Sequence, residues 1–132
     1  MKMKSNIFFL VIDSLRQDKC LGKSNSSATP NLDKLIQNGT FFNQTISTAP
    51  ITVPSLSSIF TGLYPFECMT VDNNLYNLNQ NLPIFSDDLI KSGYNTYAII
   101  PEALKHTNIS KLFTNVEFFN SLATLYDENL GN

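Results

Sequence analysis

Apolar and polar residues fall in blocks along this chain, and the blocks predict alternating strands and helices. The first block, Ile7-Phe8-Phe9-Leu10-Val11-Ile12, is continuously apolar without period-two alternation, the pattern of a strand buried on both faces of a parallel sheet. Asp13 follows directly and puts a carboxylate at that strand's carboxyl end. Thr29-Pro30 reads as an N-cap with proline in the first turn, with Leu32, Leu35 and Ile36 on one helical face and Gly39 as the stop. Phe41-Phe42 to Ile46 predicts a second strand or extended segment, which Pro50 ends.

Thr52-Val53-Pro54-Ser55 then opens a helix carrying Leu56, Ile59 and Phe60, with Gly62 suited to a left-handed C-cap. Residues 72–81 are rich in asparagine, lack clear periodicity and read as a loop. Ile84 to Ser92 predicts an amphipathic helix ending at Gly93, and Tyr94 to Ile100 a third strand. Beyond Pro101 the pattern weakens, although Leu112-Phe113 and Phe118-Phe119 require apolar cover. This order of elements predicts an α/β fold with a mostly parallel sheet. No repeat, low-complexity tract or linker divides it, so residues 1–132 read as one domain.

Composition narrows the function. With 42% hydrophobic and 15% charged residues among 132, the chain is globular rather than disordered. A formal charge of -2 leaves no cationic excess for a phosphate backbone, which argues against nucleic acid. The start Met1-Lys2-Met3-Lys4 has the charge of a signal peptide, but the apolar run stops at Asp13 and no small-residue cleavage site follows. No stretch approaches the roughly 20 apolar residues of a membrane span. The expectation is a soluble, cytoplasmic chain. Cys20 and Cys68 lack metal-ligand or redox spacing and read as reduced structural thiols. Five glycines without a Gly-x-Gly or Walker pattern argue against nucleotide binding.

Two positions could carry chemistry. Asp13, at a strand's carboxyl end, stands where open α/β sheets gather ligands and could hold a divalent cation; equally, it could cap the next turn or pair with Arg16. Thr52 places a hydroxyl at a helix N-terminus, beside unpaired N–H groups that favour an oxyanion or alkoxide; on pattern alone it reads first as a plain N-cap. Arg16 and Asp18 read as solvated charges or a local ion pair.

Taken together, several segments resemble the sulfatase family of the alkaline phosphatase superfamily. They are Asn6 to Asp18; Thr29-Pro30-Asn31-Leu32-Asp33-Lys34-Leu35 with Gly39 and Phe41-Phe42; Thr52-Val53-Pro54-Ser55; Thr61-Gly62-Leu63-Tyr64-Pro65; and Leu89 to Thr96. Their order and spacing match the amino-terminal portion of that family's catalytic domain over roughly residues 5 to 100. The resemblance implies an alkaline phosphatase-like fold, here a partial three-layer sandwich with a mostly parallel sheet.

It also implies that Asp13 is a metal ligand and that Thr52, a second ligand, stands at the nucleophile's place, where true sulfatases have a Cys or Ser converted to formylglycine. A threonine has a methyl on Cβ and cannot become that aldehyde hydrate. Thr52 is thus similar to the direct nucleophile of relatives that cleave or transfer phosphate esters. Leu56 replaces the Arg of the Cys-x-Pro-Ser-Arg signature, and Ser14 a second metal-binding Asp, and both departures point away from sulfate esters. Lys105 and His106, the chain's sole histidine, stand after the third strand, where some members carry a substrate-binding Lys and His.

The family's further metal ligands are not apparent, and Asp127-Glu128 reads as a solvated acidic tail. One carboxylate and one hydroxyl fall short of the three or four protein ligands of a catalytic metal. The expectation is an incomplete amino-terminal portion of a metal-dependent sulfate- or phosphate-ester hydrolase or transferase, inactive alone, binding Ca, Mn, Zn or Mg. The alternative is a noncatalytic α/β binding module. A sheet cut to about three strands predicts apolar exposure near Phe8, Phe9, Ile99 and Ile100, and so self-association or a complementary C-terminal chain.

Overall fold

The computed structural model describes residues 5–20, 28–72 and 75–120. The chain divides into two compact units, Met1–Thr45 and Ile46–Asn132.

In the first unit, helix α1 spans Gln17–Cys20 and α2 spans Pro30–Asn38. Proline begins α2 as predicted, because its fixed φ suits the first turn and its missing N–H would lack a partner there. Thr29 occupies the N-cap position, but its hydroxyl donates to the Cys20 carbonyl at 3.0 Å instead of capping the helix. Gly39 follows the last turn in extended conformation, and a Cβ there would approach the Leu35 carbonyl to 3.0 Å.

The strand expected at Ile7 to Ile12 is not formed. These residues join no ladder, and their side chains range from 46% exposed at Ile12 to 88% at Phe8. An apolar run becomes a strand only when neighbours complete its hydrogen bonds, and the described strands pair only with each other. Of the strand or extended segment expected at Phe41 to Ile46, no strand forms. The polar Asn43-Gln44-Thr45 turns the chain there, and the Thr45 hydroxyl donates to the Phe42 carbonyl at 3.5 Å. Such local bonds compete with a ladder.

The second unit holds the core. Helix α3, Thr52–Thr61, buries Leu56, Ser57, Ser58 and Phe60 and ends at Gly62, whose φ of 73° requires glycine's freedom. The Gly62 N–H closes the helix on the Ser58 carbonyl at 2.8 Å. Within α3, the Ser57 hydroxyl donates to the Val53 carbonyl and the Thr61 hydroxyl to the Ser57 carbonyl, at 2.8 and 2.7 Å, so neither leaves its buried or half-buried oxygen unpaired. The short α4, Pro65–Cys68, leads into an antiparallel pair, β1 (Met69–Asp72) and β2 (Leu75–Leu78), registered by Met69 opposite Leu78 and Val71 opposite Tyr76.

This pair replaces much of the expected loop at 72–81. β1 reaches the window only at Asp72, whereas β2 lies inside it and is too short, at four residues, to stand out among the asparagines. Helix α5, Phe85–Lys91, follows, with Gly93 left-handed just beyond it. Strand β3, Tyr97–Pro101, pairs in parallel with β4, Asn115–Phe119, through two short 3₁₀ turns at Glu102–Leu104 and Ile109–Leu112. The register is pinned at one end: Thr96 Oγ1 accepts the Thr114 N–H at 2.8 Å, and the Thr96 carbonyl accepts the Asn115 N–H at 3.0 Å. The composition is therefore mixed α/β, as expected, with small sheets.

Leu56, Phe60, Cys68, Leu78, Ile84, Leu104, Ile109 and Leu112 form the core, with Ile100 and Phe113 packed against it. The Phe60 ring stacks on Phe85 and meets the edge of Phe113, at centroid distances of 5.4 and 5.6 Å. Leu112 and Phe113 thus find the cover they require. Phe118 and Phe119 remain part-exposed, and Tyr97 and Ile99 are each 72% exposed, whereas Ile100 turns to the core. No helix among the described residues is long and apolar enough to cross a membrane.

Leu78 is 0% exposed, so Leu78→Ala is expected to destabilise the second unit by about 2–5 kcal/mol. Urea denaturation of the full chain measures this; a change below about 1 kcal/mol would show that the hairpin does not belong to the cooperative core.

Candidate active site

The first turn of α3 lines an open cleft of about 400 Å³ in the second unit. Ile51, Thr52, Val53 and Pro54 form one wall, Leu75 and Tyr76 of β2 another, and Ala103, His106 and Thr107 of the loop after β3 the third. That volume lies within the ~300–1,000 Å³ usual for small-molecule sites. The walls are largely aliphatic, with Thr52, Tyr76, His106 and Thr107 supplying the polar side chains.

Thr52 is half-buried and is the first helical residue, so it is not the cap. The N-cap is Ile51, whose aliphatic side chain accepts nothing. Ser55 makes the first bond into the helix start, donating to the Ile51 carbonyl at 3.1 Å, and Pro54 has no N–H. The N–H groups of Thr52 and Val53 therefore have no side-chain cap, and both residues line the cleft at the positive end of the helix dipole. This concentration of donors suits an anion.

His106 stands in the same cleft as Thr52, on an exposed loop. The loop is tied down: the Thr107 hydroxyl donates to the Leu104 carbonyl at 2.7 Å, and the Leu78 N–H donates to the Thr107 carbonyl at 3.2 Å. Lys105, its neighbour, is engaged elsewhere. Its ammonium lies 3.7 Å from Glu102 and 5.6 Å above the centre of the Phe118 ring, and it is not among the residues lining the cleft. Tyr76, Leu75 and Thr107 are cleft residues that the sequence reading passes over. The signal for the first two is the strand-forming Leu75-Tyr76 beside the turn composition Asp72-Asn73-Asn74.

Asp13 belongs to the first unit, where its Oδ1 accepts the N–H of Ser14 at 3.0 Å. Ser14 is left-handed, with φ of 57°. Asp13 thus bonds locally to the residue that follows it, and the Arg16 side chain is engaged elsewhere. Arg16 forks onto Asp18 through Nε and Nη2, at 2.9 and 2.7 Å, and that carboxylate raises the guanidinium pKa above its usual value. Both partners are exposed, so the pair contributes little to stability. Leu56, which replaces the signature Arg, is buried in the core and leaves no cation at that position.

Among the described residues, no three His, Cys, Asp or Glu side chains gather closely enough to hold a metal ion. Asp13 and Thr52 offer two hard oxygen donors, fewer than a divalent cation takes from protein, so these residues do not by themselves make a metal site. Asp127-Glu128 lie outside the described residues.

The sequence pattern that defines the sulfatase family matches residues 5–130, nearly the whole chain, and the chain belongs to that family. It is 36% identical over 78 residues to arylsulfatase H of Homo sapiens, covering 58% of this chain and 14% of that protein. An arylsulfatase of Clostridium perfringens is 30% identical over 102 residues, covering 74% of this chain and 20% of that protein. The multifunctional alkaline phosphatase superfamily protein PehA of Trinickia caryophylli is 29% identical over 105 residues, covering 70% and 20%. The chain thus spans a fifth or less of the length of these relatives. No solved structure matches it significantly.

Because Lys105 and Glu102 are each about half exposed, Lys105→Gln is expected to change stability by less than about 1 kcal/mol. Thermal unfolding of the variant beside the parent chain measures this, and a loss of several kcal/mol would give the contacts of Lys105 with Glu102 and Phe118 a structural role that their exposure argues against.

Proposed function

We propose that the chain carries the nucleophile segment of a sulfatase-like hydrolase or transferase, and that the Thr52–His106 cleft receives the ester head of its substrate. The observation that carries this reading is the meeting of Thr52, at an uncapped helix start, with the sole histidine in one cleft. Family membership supports it. The Thr52 and Val53 N–H groups and the helix dipole attract the ester's anionic oxygens, and His106 adds a side-chain donor on the far wall. Thr52 Oγ1 then attacks phosphorus or sulfur in line: the new bond forms to Oγ1, the bond to the leaving oxygen breaks, the hydroxyl proton passes to solvent, and the leaving oxygen takes up a proton from solvent.

Phosphate esters fit this site better than sulfate esters. Threonine cannot form the aldehyde hydrate, and Leu56 provides no cation where the signature Arg would stand. Direct transfer to a hydroxyl leaves a phospho-threonine that water or a second alcohol can discharge. A divalent cation in the completed site would supply charge neutralisation and a lowered hydroxyl pKa. Asp13 would contribute a carboxylate to it, beside ligands that these residues do not provide. On this reading the complete catalytic domain is a three-layer sandwich with a mostly parallel sheet, of which the parallel β3–β4 pair is a part. Its apolar faces, such as Tyr97 and Ile99, receive further chain, from the same polypeptide, a complementary one or a second copy.

These residues alone are expected to bind an ester head without turning it over. Titration of the ¹⁵N-labelled chain with phenyl phosphate should shift the His106 ring and the Thr52 and Val53 amides, and His106→Gln should weaken binding about tenfold, the scale of one charge-assisted hydrogen bond. Aryl phosphate, phosphodiester and sulfate ester assays with Zn²⁺, Mn²⁺, Mg²⁺ and Ca²⁺, beside Thr52→Ala, form the second arm. No shift at the cleft would sink the ester-site reading. Metal-dependent turnover lost in Thr52→Ala would instead show that the chain is catalytically complete.

A further inference from the structure

We infer that Asn108 is a positioning residue of the cleft: its side-chain amide latches the loop carrying His106 onto strand β2, and thereby sets where the imidazole stands relative to Thr52. This rests on the reading of the cleft as the ester site. Asn108 has φ 61° and ψ -7°, a left-handed conformation that asparagine tolerates better than most side chains. That turn reverses the chain two residues after His106 and starts the next 3₁₀ turn, where the Lys111 N–H donates to the Asn108 carbonyl at 3.1 Å.

The side chain does a separate job. Asn108 Nδ2 donates to the Leu78 carbonyl at 3.2 Å, while the Leu78 N–H donates to the Thr107 carbonyl at 3.2 Å. Loop and strand therefore exchange two bonds at one residue, and Leu78 is 0% exposed. Losing the amide would leave its half-buried surroundings with a carbonyl lacking this donor, which disfavours the latched arrangement. Leu75 and Tyr76, earlier on the same strand, line the cleft with His106. The latch thus joins two of the three walls, and only the Thr52 wall lies outside it. His106 itself is exposed and makes no hydrogen bond of its own among the described residues, so its position is inherited from its loop.

Two variants separate the amide from the backbone. Asn108→Gly keeps the left-handed turn and deletes the amide; Asn108→Asp keeps size and turn but presents an acceptor to the Leu78 carbonyl. Because the chain has one histidine, the imidazole signals are unambiguous. In the ligand-free full chain, both variants should lose heteronuclear NOE at residues 105–108 and shift the His106 ring signals, while the Thr52 amide is unchanged. Phenyl phosphate should then half-saturate at about tenfold higher concentration, the scale of one lost hydrogen bond. A lower unfolding midpoint with unchanged His106 signals in the folded state would make the amide merely structural and overturn the inference. Should the Asp variant fail to fold, the Gly variant decides. Failure of the parent chain to bind phenyl phosphate would remove the ester-site reading, while the ligand-free signals would still decide whether Asn108 positions His106.

Discussion

Burying a residue commits its backbone polar groups to partners, and Leu78 is where that requirement organises the second unit. Its side chain fills the core beside Phe60 and Ile84, while its N–H and carbonyl engage Thr107 and Asn108. The hairpin therefore cannot shift register without losing the loop contacts, since a slip by one residue would turn Leu78 away from the core. The same commitment brings Tyr76 and His106 to a common opening. Packing, register and cleft geometry are one constraint seen at three scales.

The helices were the legible part of the fold because their ends are local events. Pro30 at the start of α2, Gly62 after α3 and Gly93 after α5 act through their own φ angles, whatever the rest of the chain does. Strands need partners, and their legibility suffered accordingly. The third strand was expected from Tyr94 and begins at Tyr97, because Thr96 is spent on Thr114 and Asn115 instead. β4 reads poorly because Asn115 and Glu117 face solvent and Phe118 and Phe119 give no alternation. At Ile7 to Ile12 the apolar content is plain, but the ladder that would make it a strand is a property of neighbours.

The candidate site was legible at Thr52, since a hydroxyl ahead of Pro54 in a helix start can be read from four residues. The geometry differs in a consequential detail, with Ile51 taking the cap position and Thr52 standing one residue inside. His106 could be singled out as the sole histidine, but only tertiary structure brings it to Thr52's cleft and turns Lys105 aside to Glu102 and Phe118. Tyr76 was hidden because it reaches the cleft through strand pairing rather than through any motif. Leu56 shows the reverse case, where a departure from the family signature is also a core residue and so cannot be returned to arginine without placing a charge among apolar side chains.

The parallel pairing of β3 with β4 carries a consequence of another kind. Among the described residues this ribbon is two-stranded and pairs only along the shared seam, which leaves the outer edge of each strand with a row of amide groups facing outward. Those rows recognise backbone, not side chains, and so accept an added strand with little regard to its sequence. Were a strand to add there, its selection would rest on the faces, where Tyr97 and Ile99 stand out on one side and Ile100 is already claimed by the core on the other. The ribbon is thus a template with an indiscriminate edge and a discriminating surface.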